Sequence, residues 1–431
     1  MKSLFKTIIA RLLRAEARFV LAKYRPRVVA ITGSVGKTST KDAVFAVVAS
    51  GAHARRSEKS FNSEIGLPLT ILGQPNAWSN PLRWLETLLD GLMLYISKQP
   101  YPEWLVLEVG ADRPGDIRSL AAWLSVDVAV ITRLPEVPVH VEFFDSPEAV
   151  REEKASLINA LKQDGALVLY ADDPSVLALR QRAHKAHIVT FGFSEGADVR
   201  AHGAEIILRS DGEPLGIRAH VRAGGDSGIL EIKGAIGAHA LMSPLAAVAV
   251  GRALGKPLPD MLAALKGYEP PPGRMHLIEG EKGTVIIDDT YNSSPAAVHA
   301  ALEALALTPA KRKIAVLGDM LELGRHSVDE HRKAGALVVG KSDFLLTVGF
   351  RARDIAQGAL DQGMPDGNIF QYEDAARAGK ELETMLTEGD AVLVKGSQSM
   401  RMERIVEEIM ADPAHAGDLL VRQDPEWKRK A

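Results

Sequence analysis

Lys37, Thr38 and Ser39 follow a glycine-bracketed turn within residues 28–41, VVAITGSVGKTSTK. That order suits a nucleoside triphosphate. The β-rich run ending at Thr32 feeds a loop whose N–H groups can wrap phosphate oxygens, with Ser34 among them. Gly33 and Gly36 leave room for the approach. Lys37 supplies a compact charge for the β- and γ-phosphates, and Thr38 a hydroxyl for Mg²⁺. A helix predicted from about Thr38 to Ala49 aims its positive dipole end at the same place. Ile31 stands where the common phosphate-loop pattern has its first glycine, so this is the shorter TGxxGKTST form. A GKT in a Gly-rich chain can be a chance turn, but strand before and helix after argue for phosphate binding.

Other candidates are individually weaker. Glu108 closes the apolar run WLVLE, where α/β sheets bind ligands. Beside a phosphate loop it suits a Mg²⁺ ligand; the plainer alternative is a capping or solvated acid. Asp288 and Asp289 end TVIIDD and suit a ribose hydroxyl, a metal or merely a turn. Arg274 lies in a Pro/Gly-rich stretch, KGYEPPPGRM, where a guanidinium can swing onto a γ-phosphate as domains close. His140 and Lys154 do not stand out by residue type alone.

The elements that must carry these groups alternate. Strand candidates at 104–110, 126–132, 165–171 and 187–193 are separated by helical stretches such as 146–163, which implies βαβ units and a mostly parallel sheet. From 197 to 234 the pattern alternates residue by residue around DG and GG turns, the mark of an antiparallel patch. A helix is expected from about 240 to 254. Beyond the stretch at 266–275, read as a hinge, strand candidates recur at 283–289, 313–319, 343–349, 368–372 and 390–396. The fold expected is α/β: a central phosphate-loop domain with a mostly parallel sheet and an antiparallel patch over 26–270, then a Rossmann-like α/β domain over 271–431. The last dozen residues are expected to fray.

Composition narrows the classes. A chain of 431 residues at 46% hydrophobic calls for two or three cores. A net charge of −3 with both signs interspersed lacks a nucleic-acid footprint, so no nucleic-acid partner is expected. The absence of cysteine excludes disulfides, thiolate metal sites and a thiol nucleophile. No run approaches the ~18 to 20 apolar residues of a membrane span.

Residues 1–25 form a basic segment of their own. Phe5, Ile8, Leu12, Ala15 and Phe19 recur at helical spacing, with Leu4, Ile9, Leu13 and Val20 beside them. Lys2, Lys6, Arg11, Arg14, Arg18 and Lys23 stand against one acid, Glu16. Arg11 and Arg14 interrupt the apolar core a signal peptide would need. A helix packed on the following domain is the expectation; contact with an anionic membrane surface or a partner is the alternative.

Taken together, TGSVGKTSTK, FNSEIGLPLT, LEVGADRPGDI, PVHVEFFDSPEAVREEK, PPGRMHLIEG, DDTYNSSP, LGDMLELG and VKGSQSMRMERIVE occur in an order that resembles the Mur ligases, ATP-dependent peptide-bond-forming enzymes of peptidoglycan precursor synthesis. The resemblance runs from about Val28 to Met410. The last motifs look most like the members that add D-alanyl-D-alanine to a UDP-N-acetylmuramoyl-tripeptide, which implies those two substrates, ATP, Mg²⁺ and the cytoplasm. It implies that Lys37 and Thr38 hold the ATP phosphates and a first Mg²⁺. Glu108 would ligate Mg²⁺, His140 a second one, and Lys154 would be carbamylated into a metal ligand. Arg274 would meet the terminal phosphates and Asp289 the ribose. Asn62 would sit near the reacting groups, and His239 matches a nucleotide-site histidine. Two departures stand out. Only 27 residues precede Val28, where the family has a domain for the UDP end of the substrate. The family's His-Asn-x-x-Asn reads HALMS, with Ala240 and Ser243 in place of the asparagines. Weaker dependence on UDP is therefore expected. A ligase for another carboxylate, or an ATP-binding protein without ligase activity, are the alternatives.

Overall fold

The computed structural model describes residues 2–429, apart from 59–60, 78–79 and 184 and the side chains of 2–5, 425 and 426. Leu4 and Phe5 of the expected N-terminal stripe therefore lie outside the described side chains. The first sheet has nine strands: β1 (Arg27–Thr32), β2 (Ala54–Arg56), β3 (Trp104–Glu108), β4 (Val126–Ile131), β5 (Leu161–Tyr170), β6 (His187–Gly192), β7 (Val199–Leu208), β8 (Pro214–Ala223) and β9 (Asp226–Lys233). Their order is β2-β3-β1-β4-β5-β6-β7-β8-β9. Every pairing from β2 to β7 is parallel; β7–β8 and β8–β9 are antiparallel. The central strands are buried on both faces, which is why they are near-continuous apolar runs, whereas β8 alternates buried and exposed.

The chain reverses its direction of winding at β1, between β3 and β4. Parallel α/β sheets open a crevice at such a switch, beyond the carboxyl ends of the strands. Helix α1 (Lys2–Tyr24) covers one face of the sheet, and α2 (Lys37–Ala49) the other. The helix expected over 146–163 is shorter. It runs Pro147–Ala155, continues as a 3₁₀ turn over Ser156–Ala160, and gives way to β5. Ser156 explains the change: its hydroxyl bonds the Glu153 carbonyl at 2.5 Å, competing with the helical ladder.

The second sheet comprises β10 (His276–Gly280), β11 (Thr284–Asp289), β12 (Arg312–Gly318), β13 (Phe344–Val348), β14 (Ile369–Tyr372) and β15 (Asp390–Lys395). Its order is β10-β11-β15-β12-β13-β14, parallel except for the β10–β11 hairpin. The C-terminal tail does not fray as expected. Leu420 and Arg422 are buried, and the Arg422 Nη2 donates to the Thr290 carbonyl at 2.7 Å.

The basic N-terminal helix packs, but on a different row from the one its spacing suggested. Ile9, Leu13, Ala17 and Val20 are buried, whereas Ile8, Leu12 and Phe19 are about half exposed. Its neighbours are α3 (Gly66–Leu72) and α4 (Pro81–Ile96). Lys23 Nζ bonds the Leu94, Tyr95 and Ser97 carbonyls at 2.5–3.0 Å, so one helix caps the orphan acceptors of the other. Gly91 is what permits the approach: a Cβ there would sit 2.3 Å from a Glu16 carboxylate oxygen. That Glu16 oxygen has no hydrogen-bond partner, and burial raises the carboxyl to about 7.

A raised carboxyl binds its proton more tightly in the folded state than in the unfolded one. Folding therefore gains from Glu16 protonation at low pH, and loses that gain as pH climbs from about 4.5 to about 7. Glu16→Gln should be more stable than the parent at pH 8 and nearly equal to it at pH 4.5, in urea titrations at each pH. Equal stability at pH 8 would refute a buried, desolvated Glu16.

Candidate active site

The phosphate loop sits at the β1 switch. Gly33 has φ +145° and Gly36 φ +79°, and Gly36 precedes the first turn of α2 with no side-chain cap. The loop lies against β4: a Cβ on Gly33 would come within 1.9 Å of Thr132 Oγ1. Ser34 N–H donates to the Arg133 carbonyl at 2.9 Å, and the Thr132 hydroxyl to the Val35 carbonyl at 2.8 Å. The buried Ser34 hydroxyl has no partner. Ser243, one of the two residues that stand in place of the family's asparagines, braces the loop, with Oγ 3.1 Å from Thr40 Oγ1 and 3.4 Å from the Gly36 carbonyl. Ser39 is held through its carbonyl by Tyr268 Oη at 3.3 Å.

Three expected residues meet around Glu108. Its Oε1 accepts from Asn62 Nδ2 at 3.1 Å, while its Oε2 is buried without a partner. Lys37 is close enough for the two charges to interact. Burial lowers the Lys37 ammonium, Glu108 opposes that, and Arg274 reinforces it. Lys154, on the helix 147–155, is 1% exposed. Burial, with the Lys37 charge adding to it, depresses its ammonium to about 7. No three His, Asp or Glu side chains among the described residues converge as a preformed metal cage. An orphaned carboxylate oxygen of Glu108, in the cavity that Thr38 also lines, nevertheless fits Mg²⁺, which keeps waters and substrate phosphates as ligands rather than needing a protein cage.

His140 has φ +71° and turns toward the second sheet, where its Nδ1 lies 2.6 Å from Glu322 Oε2. Its Nε2 is 3.6 Å from Asp112. Glu322 belongs to LGDMLELG, and the adjacent His140 ring holds its carboxyl below the usual range. Neither acid was singled out by sequence reasoning; their positions after strand ends were the available clue.

The stretch at 266–275 delivers Arg274 to the loop. Its Nη2 donates to Thr38 Oγ1 at 2.8 Å while the guanidinium stacks 4.0 Å over Tyr291. Gly273 and Met275 on either side have φ +70° and +59°. Asp288 accepts the Gly273 N–H at 3.1 Å and Asp289 the Met275 N–H at 3.2 Å. The paired acids thus clamp both flanks of Arg274. Asp288 is fully buried, and desolvation raises it to about 6. The second oxygen of Asp289 meets Lys395 at 2.6 Å, so both its oxygens are engaged within the hinge. Lys395, 1% exposed at the end of β15, is a site residue that sequence reasoning missed. His239 faces the same group: burial lowers it to about 4, Asp289 opposing, so the ring is neutral at pH 7.

Lys37, Glu108, His140, His239, Arg274 and Asp289 line one cavity of ≈ 1060 Å³, whereas Lys154 and Asp288 are absent from its lining. Its far end is walled by α1 through Lys6, Arg11 and Arg14, facing Trp123. Arg14 is held there by Ser119, through Oγ and carbonyl at 3.3 Å each.

Residues 89–251 match the family description "Mur ligase middle domain", and residues 273–398 match "Mur ligase, glutamate ligase domain". The chain is 30% identical over 403 residues to the UDP-N-acetylmuramoyl-tripeptide--D-alanyl-D-alanine ligase of Bacillus subtilis (strain 168), across 93% of this chain and 79% of that one. It is 30% identical to the like-named ligase of Mycobacterium leprae (strain TN), across 90% and 74%. The crystal structure of MurF ligase from Thermotoga maritima in complex with ADP superimposes with a TM-score of 0.75 at 28% identity, covering 93% of this chain and 83% of that one. With a phosphate loop, a strand-end carboxylate and the Arg274 guanidinium in one crevice, and with that likeness along nearly its whole length, the chain belongs to the Mur ligase family.

Proposed function

We propose that the protein is an ATP-dependent ligase that joins D-alanyl-D-alanine to a UDP-N-acetylmuramoyl-tripeptide in peptidoglycan precursor synthesis. The observation that carries this reading is Arg274 reaching Thr38 from the segment that leads into the second sheet, in a chain 30% identical to ligases of that name. Hinge and phosphate loop then form a single phosphoryl-transfer site. The acceptor carboxylate attacks the γ-phosphorus of ATP and the bond to the β,γ-bridging oxygen breaks, giving an acyl-phosphate and ADP. The dipeptide amine attacks the acyl carbon, phosphate leaves, and the amine proton is lost. Lys37 and Arg274 offset charge on the transferring group. Asn62 holds one Glu108 oxygen so that the other faces the site. Glu108, Thr38 and a carbamylated Lys154 are the residues that would hold Mg²⁺, with His140 toward a second ion; bound there, the metal offsets phosphoryl charge. Closure of the hinge keeps water from the acyl-phosphate.

The direct test is ADP release by purified protein given ATP, D-alanyl-D-alanine and a UDP-N-acetylmuramoyl-tripeptide. Turnover should need all three, and Lys37→Ala should lower it by on the order of a hundredfold or more with an unchanged melt. Turnover with another carboxylate and not with the muramoyl-peptide would move the chain to a different substrate within the family.

Lys154 reacts with CO₂ only as a neutral amine, and its burial supplies that form near pH 7. The amine nitrogen bonds the carbon of CO₂ and releases a proton, leaving two oxygens for a hard cation. Protein equilibrated with ¹³C-bicarbonate should show a carbamate resonance that Lys154→Ala lacks. That variant should be inactive, with partial rescue by short carboxylic acids. Full activity without rescue would remove Lys154 from the site.

The cavity wall on α1 refines the expectation about UDP. Lys6 and Arg14 on that wall offer charge for phosphate. Removing uridine while keeping a phosphate should therefore cost much less kcat/KM than removing the phosphates too. A thousandfold loss on removing uridine alone, ~4 kcal/mol, would show a uridine site.

A further inference from the structure

Helix α4 is built the wrong way round for a surface helix. Trp84, Thr87, Gly91 and Leu94 face the protein, as expected. The opposite face is not polar: Leu82, Leu85, Leu89, Leu92, Met93 and Ile96 are all exposed, Leu82 by 73% and Ile96 by 66%. Their spacing of three and four residues puts them on one stripe along the whole helix. A helix apolar on both faces is ordinarily buried on both. The stripe continues onto α1, whose Phe19 ring lies 5.3 Å from that of Tyr95, with Leu12 and Ile8 following along the helix. A contiguous apolar face of this kind needs something to cover it.

Charge identifies what covers it. Arg11 and Arg18 are exposed on the solvent side of α1, next to the Ile8–Leu12–Phe19 row. The only acid of α1, Glu16, points inward at Gly91. Lys98 is exposed just beyond α4. Lys6 is paired with Glu64, Arg14 is engaged by Ser119, and Lys23 is spent on α4 carbonyls. The exposed acids of α4, Glu86 and Asp90, sit with Arg83 on the flank turned away from the Tyr95 side and hence from α1. A row of large apolar side chains bordered by arginines is the composition of a helix lying in a bilayer interface over anionic headgroups. A second copy of the chain would instead set this cationic border against its own likeness. No described helix is long and apolar enough to cross a membrane.

We propose that the α1–α4 face docks on an anionic membrane surface, with Leu82, Leu85, Leu89, Leu92 and Ile96 entering the interface and Arg11 and Arg18 meeting headgroup phosphates. The test is flotation of the full chain with phosphatidylcholine vesicles, with and without phosphatidylglycerol. Binding should require the anionic lipid and weaken with added salt. It should fall roughly tenfold or more in Leu85→Ser/Leu89→Ser, with ADP release in solution unchanged. Arg18→Glu, a single exposed change, should weaken binding while retaining the parent's melt, so a folding defect in the double variant cannot decide the matter. Equal binding to neutral vesicles would overturn the assignment. So would no binding to either kind, including the case where sedimentation shows a dimer that Leu89→Ser dissolves.

Discussion

The hydrogen bond from Arg274 to Thr38 is the one contact on which the site depends, because it joins elements that otherwise share no strand. Each sheet brings the carboxyl ends of its strands to the crevice. The first contributes the phosphate loop and Glu108, the second Asp289 and Lys395. Arg274 crosses between them from a segment that has no regular hydrogen-bonding of its own. It can be placed reliably only because its neighbours are pinned. Asp288 and Asp289 take the N–H groups of Gly273 and Met275, and Lys395 fixes Asp289 from the other side. The buried Lys395–Asp289 pair is thus better understood as a positioning device than as a source of stability, since desolvating both charges offsets much of their attraction.

The same logic explains what the sequence made legible. Strands buried on both faces announce themselves as apolar runs, so the inner strands of both sheets, the antiparallel patch and the glycine-bracketed loop could be read with errors of a few residues, whereas the edge strands β2 and β10, short and not continuously apolar, were missed. Glu108 was legible because a carboxylate ending an apolar run is conspicuous. Lys395 was not: it ends an equally apolar run, VLVK, but a strand-end lysine is ordinarily solvated, and only the fold reveals that Asp289 faces it. Glu322 and Asp112 escaped for a similar reason, because their meaning lies in His140, which is 182 and 28 residues away from them in the chain. The helix expected over 146–163 overran because helical periodicity does not register a serine that bonds back to its own turn.

The N-terminal helix shows a different limit. Its two apolar rows, Ile9–Leu13–Ala17–Val20 and Ile8–Leu12–Phe19, lie side by side on the helix, and spacing alone cannot say which faces the protein. The answer came from shape: Gly91 opens a groove on α4 that accepts the Glu16 side of the helix, and this rotates the second row outward. One missing side chain on a neighbouring helix thereby decides which residues the molecule presents to its surroundings.

The proximity of Arg274 to Lys37 has a consequence for ligand binding. Each cation raises the electrostatic cost of the other, and this adds to the effect of burial on Lys37. Without an anion between them, this arrangement holds two positive charges together, with Glu108 as a partial counterweight. A polyphosphate converts that repulsion into attraction at both ends. Binding of such a ligand then includes relief of this repulsion as well as its own contacts. The Arg274–Thr38 contact between the two sheets is therefore charge-sensitive, opposed by Lys37 on its own and reinforced by a polyphosphate lying between the two cations.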